Sequence, residues 1–210
     1  MISAATVSAQ SHTFNFDDGT DQGWGLGFGD DASASFAIVN AAGSNRMVVP
    51  KGAFQSAGVA TGNPGSTFYQ AMLAASANEA LYQVTYDWRV DTAGWGANSG
   101  TFFQLGSFVN TGSGYYAQNF GAVKEVELNG TQLASGGVFS GTVTYNMAAV
   151  LYNMPAGETF FRFGVIMNGD GSAQAVQYDN ITISPVPEPA SMALLGLAVP
   201  AMMIRRRRGA

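Results

Sequence analysis

Residues 81–91, LYQVTYDWRVD, alternate without a break: Tyr82, Val84, Tyr86, Trp88 and Val90 fall on one face of an extended chain, and Gln83, Thr85, Asp87, Arg89 and Asp91 on the other. A period of two with one apolar face is the pattern of a strand half-buried in an antiparallel sheet. Working outward, similar short strands are expected at 12–16 (HTFNF), 35–40, 46–50, 101–109, 123–128, 138–145, 160–167 and 175–184. Turn residues separate them at 41–45, at Asn129-Gly130, at Gly136-Gly137 and over 168–171. Residues 51–65 read as a glycine-rich loop closed by Asn63-Pro64-Gly65, and 66–73 as a further strand. Residues 74–80 are the one plausible helical turn. About ten short strands with almost no helix predict an all-β protein, an antiparallel β-sandwich.

The stretch 23–29, GWGLGFG, sets glycine at every second position. As a strand it places Trp24, Leu26 and Phe28 on one face and only hydrogens on the other, where another backbone can approach. It is not a nucleotide-binding glycine loop: the spacing is not G-x-G-x-x-G, and Asp30-Asp31 follow where an anion needs a helix N-terminus.

Composition agrees with β structure. The chain has 27 glycines, 12% aromatic residues and 11% charged residues, the last well under the usual quarter or so. It has no cysteine, which excludes a disulfide framework and cysteine metal sites. Glu188 and the four arginines at 205–208 contribute +3 to a net charge of −5, so residues 1–184 carry −8. An acidic body lacks the basic footprint that nucleic acid requires. It suits neutral sugars or cations.

The last 26 residues differ from the rest. Pro185, Pro187 and Pro189 alternate with Val186, Glu188 and Ala190, which removes three backbone donors and predicts an extended, exposed strip outside both helix and sheet. Residues 190–204 carry no charge, and Arg205, Arg206, Arg207 and Arg208 follow. As a helix, 15 residues span roughly 22 Å against roughly 30 Å of hydrocarbon, and snorkelling arginines extend that reach. The segment taken alone also reads as a C-terminal core helix with a basic end. The order of the three pieces, however, closely resembles the PEP-CTERM sorting signal of exported bacterial proteins. That resemblance implies a short transmembrane helix with Arg205–Arg208 as its cytoplasmic stop. It also implies recognition by exosortase at Val186, Pro187, Glu188 and Pro189. The protein would then be held transiently in the inner membrane and released to the cell surface or extracellular matrix of a Gram-negative, exopolysaccharide-making, biofilm- or floc-forming bacterium.

Export needs an N-terminal signal. Residues 1–10, MISAATVSAQ, lack a basic region and an apolar stretch of about 7 to 15 residues, although Val7-Ser8-Ala9 fits a cleavage site. They read as the remnant of a signal peptide whose start lies upstream; the alternative is that Met1 is the true start and no leader exists. The chain thus divides into the remnant 1–10, one β-sandwich domain over 11–184, and the sorting signal 185–210.

The two ends of that domain carry a second resemblance. Phe16-Asp17-Asp18-Gly19 followed by Trp24, and residues 178–183 (YDNITI), are similar to the first and last strands of jelly-roll carbohydrate-binding modules. No cofactor is required on this reading, but in such modules acidic residues of these strands hold a structural calcium, which implies Asp17, Asp18 and Asp179 together with backbone carbonyls. Against this, Asp17 and Asp18 also read as plain turn residues and Asp179 as solvent-facing.

Little supports catalysis. His12 is the only histidine and no G-x-S-x-G occurs. Glu125 and Glu127 share a strand face about 7 Å apart, yet KEVE reads as a solvated surface rather than a glycosidase pair. The chain is therefore read as a non-enzyme that binds or associates with exopolysaccharide; the alternative is a structural or adhesion component of the matrix that recognises no sugar. Sugars stack on exposed rings beside polar groups that fix the hydroxyls. Trp95, on a Gly- and Asn-rich loop, and the pair Tyr115-Tyr116 are the candidates, each equally readable as a buried corner aromatic. Trp24 and Trp88 lie on apolar stripes and read as core.

Overall fold

The computed structural model describes residues 10–29, 36–50, 54–93, 102–119, 126–169 and 175–187. They form two six-stranded sheets in which every pairing is antiparallel. The first sheet contains β1 (His12–Phe14), β3 (Ala37–Ala41), β4 (Ser44–Val49), β6 (Tyr82–Asp91), β10 (Val138–Asn146) and β12 (Val176–Pro185). Its order is β10-β6-β12-β4-β3, with β1 beside the far half of β12. The second contains β2 (Trp24–Gly29), β5 (Phe54–Ala60), β7 (Phe102–Thr111), β8 (Tyr116–Gln118), β9 (Val126–Asn129) and β11 (Phe161–Gly169), in the order β2-β5-β11-β7-β8, with β9 also on β7.

The alternation read at 81–91 is realised residue by residue: along β6 the burial switches between buried and half-buried at each step. Tyr82, Val84, Tyr86, Trp88 and Val90 enter the core. They meet Met47, Val49, Val143, Tyr178, Ile181 and Ile183 from their own sheet, and Trp24, Val59, Phe103, Leu105, Phe163 and Val165 from the other. Trp24 and Trp88, at 3% and 8% exposure, are core residues as their stripes imply. Around Trp24 the rings of Phe14 and Phe163 stand edge-on at 5.3 and 6.2 Å, the favoured aromatic geometry.

Three local readings are corrected. The loop assigned to 51–65 contains β5, a central strand between β2 and β11. Its sequence, FQSAGVA, is small and polar, so propensity hides it; small residues are what a strand covered on both faces by bulky rings requires. Second, 66–73 is not a strand but the start of α1 (Thr67–Ala77). Ser66 caps it by accepting a hydrogen bond from the Tyr69 amide at 3.1 Å, and Phe68, Ala71, Met72 and Ala75 bury the inner face. Third, Asn129-Gly130 is not a simple turn. Asn129 and Gln132 form a reciprocal capping box that starts α2 (Gly130–Ala134). A further short helix, α3 (Ala148–Leu151), follows β10.

The strip from Pro185 onward also begins differently from expectation. β12 runs through Pro185, opposite Tyr82, and the Val186 amide donates to the Leu81 carbonyl at 2.8 Å. Proline lacks only its own donor, so the ladder passes it. The sheet therefore reaches into the sorting motif. The transmembrane helix predicted at 190–204, with Glu188, Pro189 and Arg205 to Arg208, lies outside the described residues. Among those described, no helix is long and apolar enough to cross a membrane.

Candidate functional site

The outer face of the second sheet is built from cross-strand rows. Gly25, Gly58, Gly164, Phe108 and Gln118 occupy one row, in register across β2, β5, β11, β7 and β8. The Phe108 ring lies flat along this row. A Cβ placed on Gly164 would fall 2.2 Å from the ring and 2.4 Å from the Ala57 carbonyl oxygen; one on Gly58 would fall 3.1 Å from the ring. The glycines exist because the ring is there. Phe108 is absent from the apolar core between the sheets, yet fully buried.

The neighbouring row carries Arg162, Asn110 and Tyr116 on β11, β7 and β8. Tyr116 is 45% exposed. Its ring stacks on Phe108 at 6.2 Å with 28° between planes, and its hydroxyl donates to Gln118 Oε1 at 2.8 Å. Partial burial raises the phenol's pKa, so the group remains a neutral donor. Arg162 donates to the Leu26 carbonyl at 3.0 Å. Between them, Asn110 Oδ1 is buried and has no hydrogen-bond partner. On the other side of the glycine row, β11, β7 and β9 align Asn168, Gln104 and Glu127.

Of the ligand residues proposed from sequence, Tyr116 lies on this face and Tyr115 does not. Tyr115 and Tyr116 are adjacent in the chain but diverge in role. The Tyr115 hydroxyl donates to the carbonyls of Tyr152 at 2.8 Å and Val150 at 3.3 Å, locking the β7–β8 turn to α3. Burial, then the proximity of Tyr152 and Glu79, pushes its pKa up to about 12. Trp95 and Glu125 lie outside the described residues. Phe108, Asn110 and Arg162 were not singled out from sequence. The available signal was the register of β11 against β7, which periodicity within one strand does not carry.

Asp179 and Asp17, from the chain's two ends, each take a hydrogen bond from β4. Asp179 is buried at 2% exposure, not solvent-facing. It accepts from the Ser44 hydroxyl and from the Asn180 amide at 2.8 Å, with the Arg46 guanidinium 4.0 Å away. The next residue along β4, Asn45, donates to the Asp17 carbonyl at 3.1 Å. Asp18 is fully exposed and caps its own turn, accepting from the Thr20 amide at 2.9 Å and hydroxyl at 2.8 Å. Those two bonds hold its carboxyl below the usual range. Among the described residues, no group of three or more carboxylate, histidine or cysteine side chains is placed to share a metal ion.

Asp87 lies opposite Asp179 in register and lines a cleft of about 300 Å³ on the outer face of the first sheet, with Arg46, Arg89, Ser140 and Thr142. Both Asp87 oxygens are occupied, one by the Thr142 hydroxyl at 2.6 Å and the other by the Asn180 amide group at 2.8 Å. This is a network of satisfied acceptors rather than an acid–base pair. The rest of that face is polar. One row of four threonines crosses it, with Thr13 bonded to Thr182 at 2.9 Å and Thr85 to Thr144 at 3.0 Å.

Comparison with known proteins gives two findings. Residues 185–208 match the PEP-CTERM protein-sorting motif. The fold is similar to that of a family-28 carbohydrate-binding module specific for non-crystalline cellulose, with a TM-score of 0.53 and 17% identity, covering 80% of this chain and 89% of that one. It is also similar to the tandem of family-22 carbohydrate-binding modules from Paenibacillus barcinonensis Xyn10C, with a TM-score of 0.50 and 10% identity, covering 84% of this chain and 50% of that one. At these identities the likeness is one of fold. A search of curated proteins gives no match.

Proposed function

We propose that the protein is an exported surface or matrix component, sorted by exosortase through residues 185–208, whose β-sandwich binds extracellular polysaccharide on the outer face of its second sheet. The motif match supports the first part and the carbohydrate-binding-module-like fold supports the second. The observation that carries the binding site is the row Arg162–Asn110–Tyr116. It sets an exposed ring, an unpartnered buried carbonyl oxygen and a guanidinium side by side. A sugar offers the complement: an apolar ring face for Tyr116 and hydroxyl oxygens that accept from the Arg162 guanidinium. An uncharged or weakly charged glycan also avoids repulsion from the acidic body. A structural role without sugar recognition is the second reading, favoured by the polar, threonine-crossed face of the first sheet.

Calcium belongs to the same proposal. Ser44 donates to the Asp179 carboxylate and Asn45 to the Asp17 carbonyl, and carboxylate and carbonyl oxygens suit that ion. Here Arg46 faces Asp179, so a bound calcium would compete with that guanidinium.

The test is a glycan array and a pull-down against exopolysaccharide using the whole chain, with calcium and with chelator. Tyr116→Ala is expected to weaken binding by about tenfold or more, as loss of a stacked ring does. Tyr115→Phe should bind as the parent does. A folded protein that retains no glycan in either condition would leave the structural reading standing alone.

A further inference from the structure

The end of the sandwich from which the tail departs is unlike the rest of its surface. Leu81 is 62% exposed and Val186 38%, and the two are tied together by the Val186 amide on the Leu81 carbonyl. Tyr152 is 50% exposed at the end of α3, the helix that packs on the short turn Glu79–Leu81. Tyr115 bonds the Tyr152 carbonyl from below. The chain also enters here: the Gln10 amide donates to the Tyr82 hydroxyl at 3.3 Å, and His12 pairs with Ile183. One end of the domain therefore gathers both chain passages and a collar of leucine, valine and tyrosine.

The length of chain beyond it is decisive. From Val186, the last residue held by the sheet, four steps reach Ala190, where the apolar run begins. Four extended residues span at most about 14 Å. The headgroup layer of a bilayer is about 5–8 Å deep on each side. If the apolar run enters hydrocarbon, the linker outreaches the headgroup layer by less than about 10 Å even when fully extended, which holds the collar at or just above the headgroups. Tyrosine with aliphatic neighbours is the composition that favours this level.

We propose that this collar, Leu81, Tyr152 and Val186, is a lipid-contacting surface that seats the sandwich end-on upon the bilayer while the tail is inserted. The inference rests on the sorting reading of the tail. End-on seating leaves both sheet faces pointing sideways, with the Tyr116 row open to the periplasm or matrix. Val138, paired with Asp91 at the opposite end of β6, stands about 30 Å away along a ten-residue strand and remains in water.

The chain's lack of cysteine permits a direct test. Full-length Leu81→Cys, Tyr152→Cys and Val138→Cys variants, each labelled with an environment-sensitive dye, are reconstituted into phosphatidylcholine vesicles and floated on a density gradient. Docking predicts that dyes at 81 and 152 are quenched by nitroxide-labelled lipid and are several-fold less accessible to iodide than the dye at 138. Adding Leu81→Asp to the Tyr152→Cys variant should restore iodide access while flotation persists. Leu81 is exposed, so the fold survives the change, as circular dichroism would verify. Flotation with equal iodide access at all three positions overturns the docking alone. Failure of the chain to float overturns the tail reading, and the docking with it.

Discussion

His12 is the residue through which mild acid reaches this fold. Its Nδ1 lies 2.6 Å from the Thr67 hydroxyl, and its ring stands against Phe14 at 4.3 Å and Phe68 at 5.7 Å. It therefore joins β1 to α1 at the edge of the core. Burial lowers its pKa from the ordinary 6.5, because the apolar surroundings disfavour the imidazolium. The unfolded chain then binds a proton more readily than the folded one, so stability rises with pH. The contribution is complete above 6.5 and is lost as pH falls from there toward the lowered native value. Melting temperatures recorded from about pH 8 to pH 5 should fall through this window, and His12→Asn should flatten the slope. A slope unchanged in the variant would place the acid sensitivity elsewhere.

At the scale of elements, the β7–β8 hairpin separates a structural tyrosine from the one proposed to meet glycan, within one dipeptide. Tyr115→Phe removes the bifurcated hydrogen bond to the carbonyls of Tyr152 and Val150 and should cost about 1 kcal/mol in chemical denaturation. Glycan binding should not change, since the ring that faces outward belongs to Tyr116. A Tyr115→Phe protein as stable as the parent would mean that α3 is held by its apolar residues Val150 and Leu151 alone. The same hairpin shows what the sequence made legible. Strands with a clean period of two, β6 above all, could be read directly, because a sheet with one wet face imposes that period. β5 and α1 could not. β5 is covered on both sides and assembled from small residues, while α1 opens with Thr-Phe-Tyr, residues that favour strands. The binding face suffers the same loss. Tyr116 was visible as an aromatic in a glycine-rich turn, but Phe108, Asn110 and Arg162 become neighbours only through the pairing of β7 with β8 and β11. Asp179 shows a related loss: Arg46 and Ser44, the partners its carboxylate has here, carry no sequence signature.

For the whole molecule, the decisive boundary is the one between the sandwich and its tail. The motif match begins at residue 185, but the sheet ends one residue later, with Ser184 opposite Gln83, Pro185 opposite Tyr82 and the Val186 amide on the Leu81 carbonyl. If the tail is processed near Pro-Glu-Pro as proposed, the cut works against the edge of a folded domain and falls beyond Val186 if it leaves that domain intact. Two truncations separate these regions. A chain ending at Pro187 keeps every pairing of β12 and should melt with the parent. A chain ending at Ile183 loses the last two strand pairs, exposes Tyr82 and frees the turn at Leu81. Losing about two net hydrogen bonds costs roughly 2 kcal/mol, or about 4–8 °C in a domain of this size. Equal melting of the two truncations would show that the last residues of β12 lie on the surface without supporting it. The domain edge would then sit upstream of the sorting motif rather than inside it, and exosortase would meet a flexible strip. A drop confined to the shorter chain would instead make the fold itself set the upstream limit of the cleavage site.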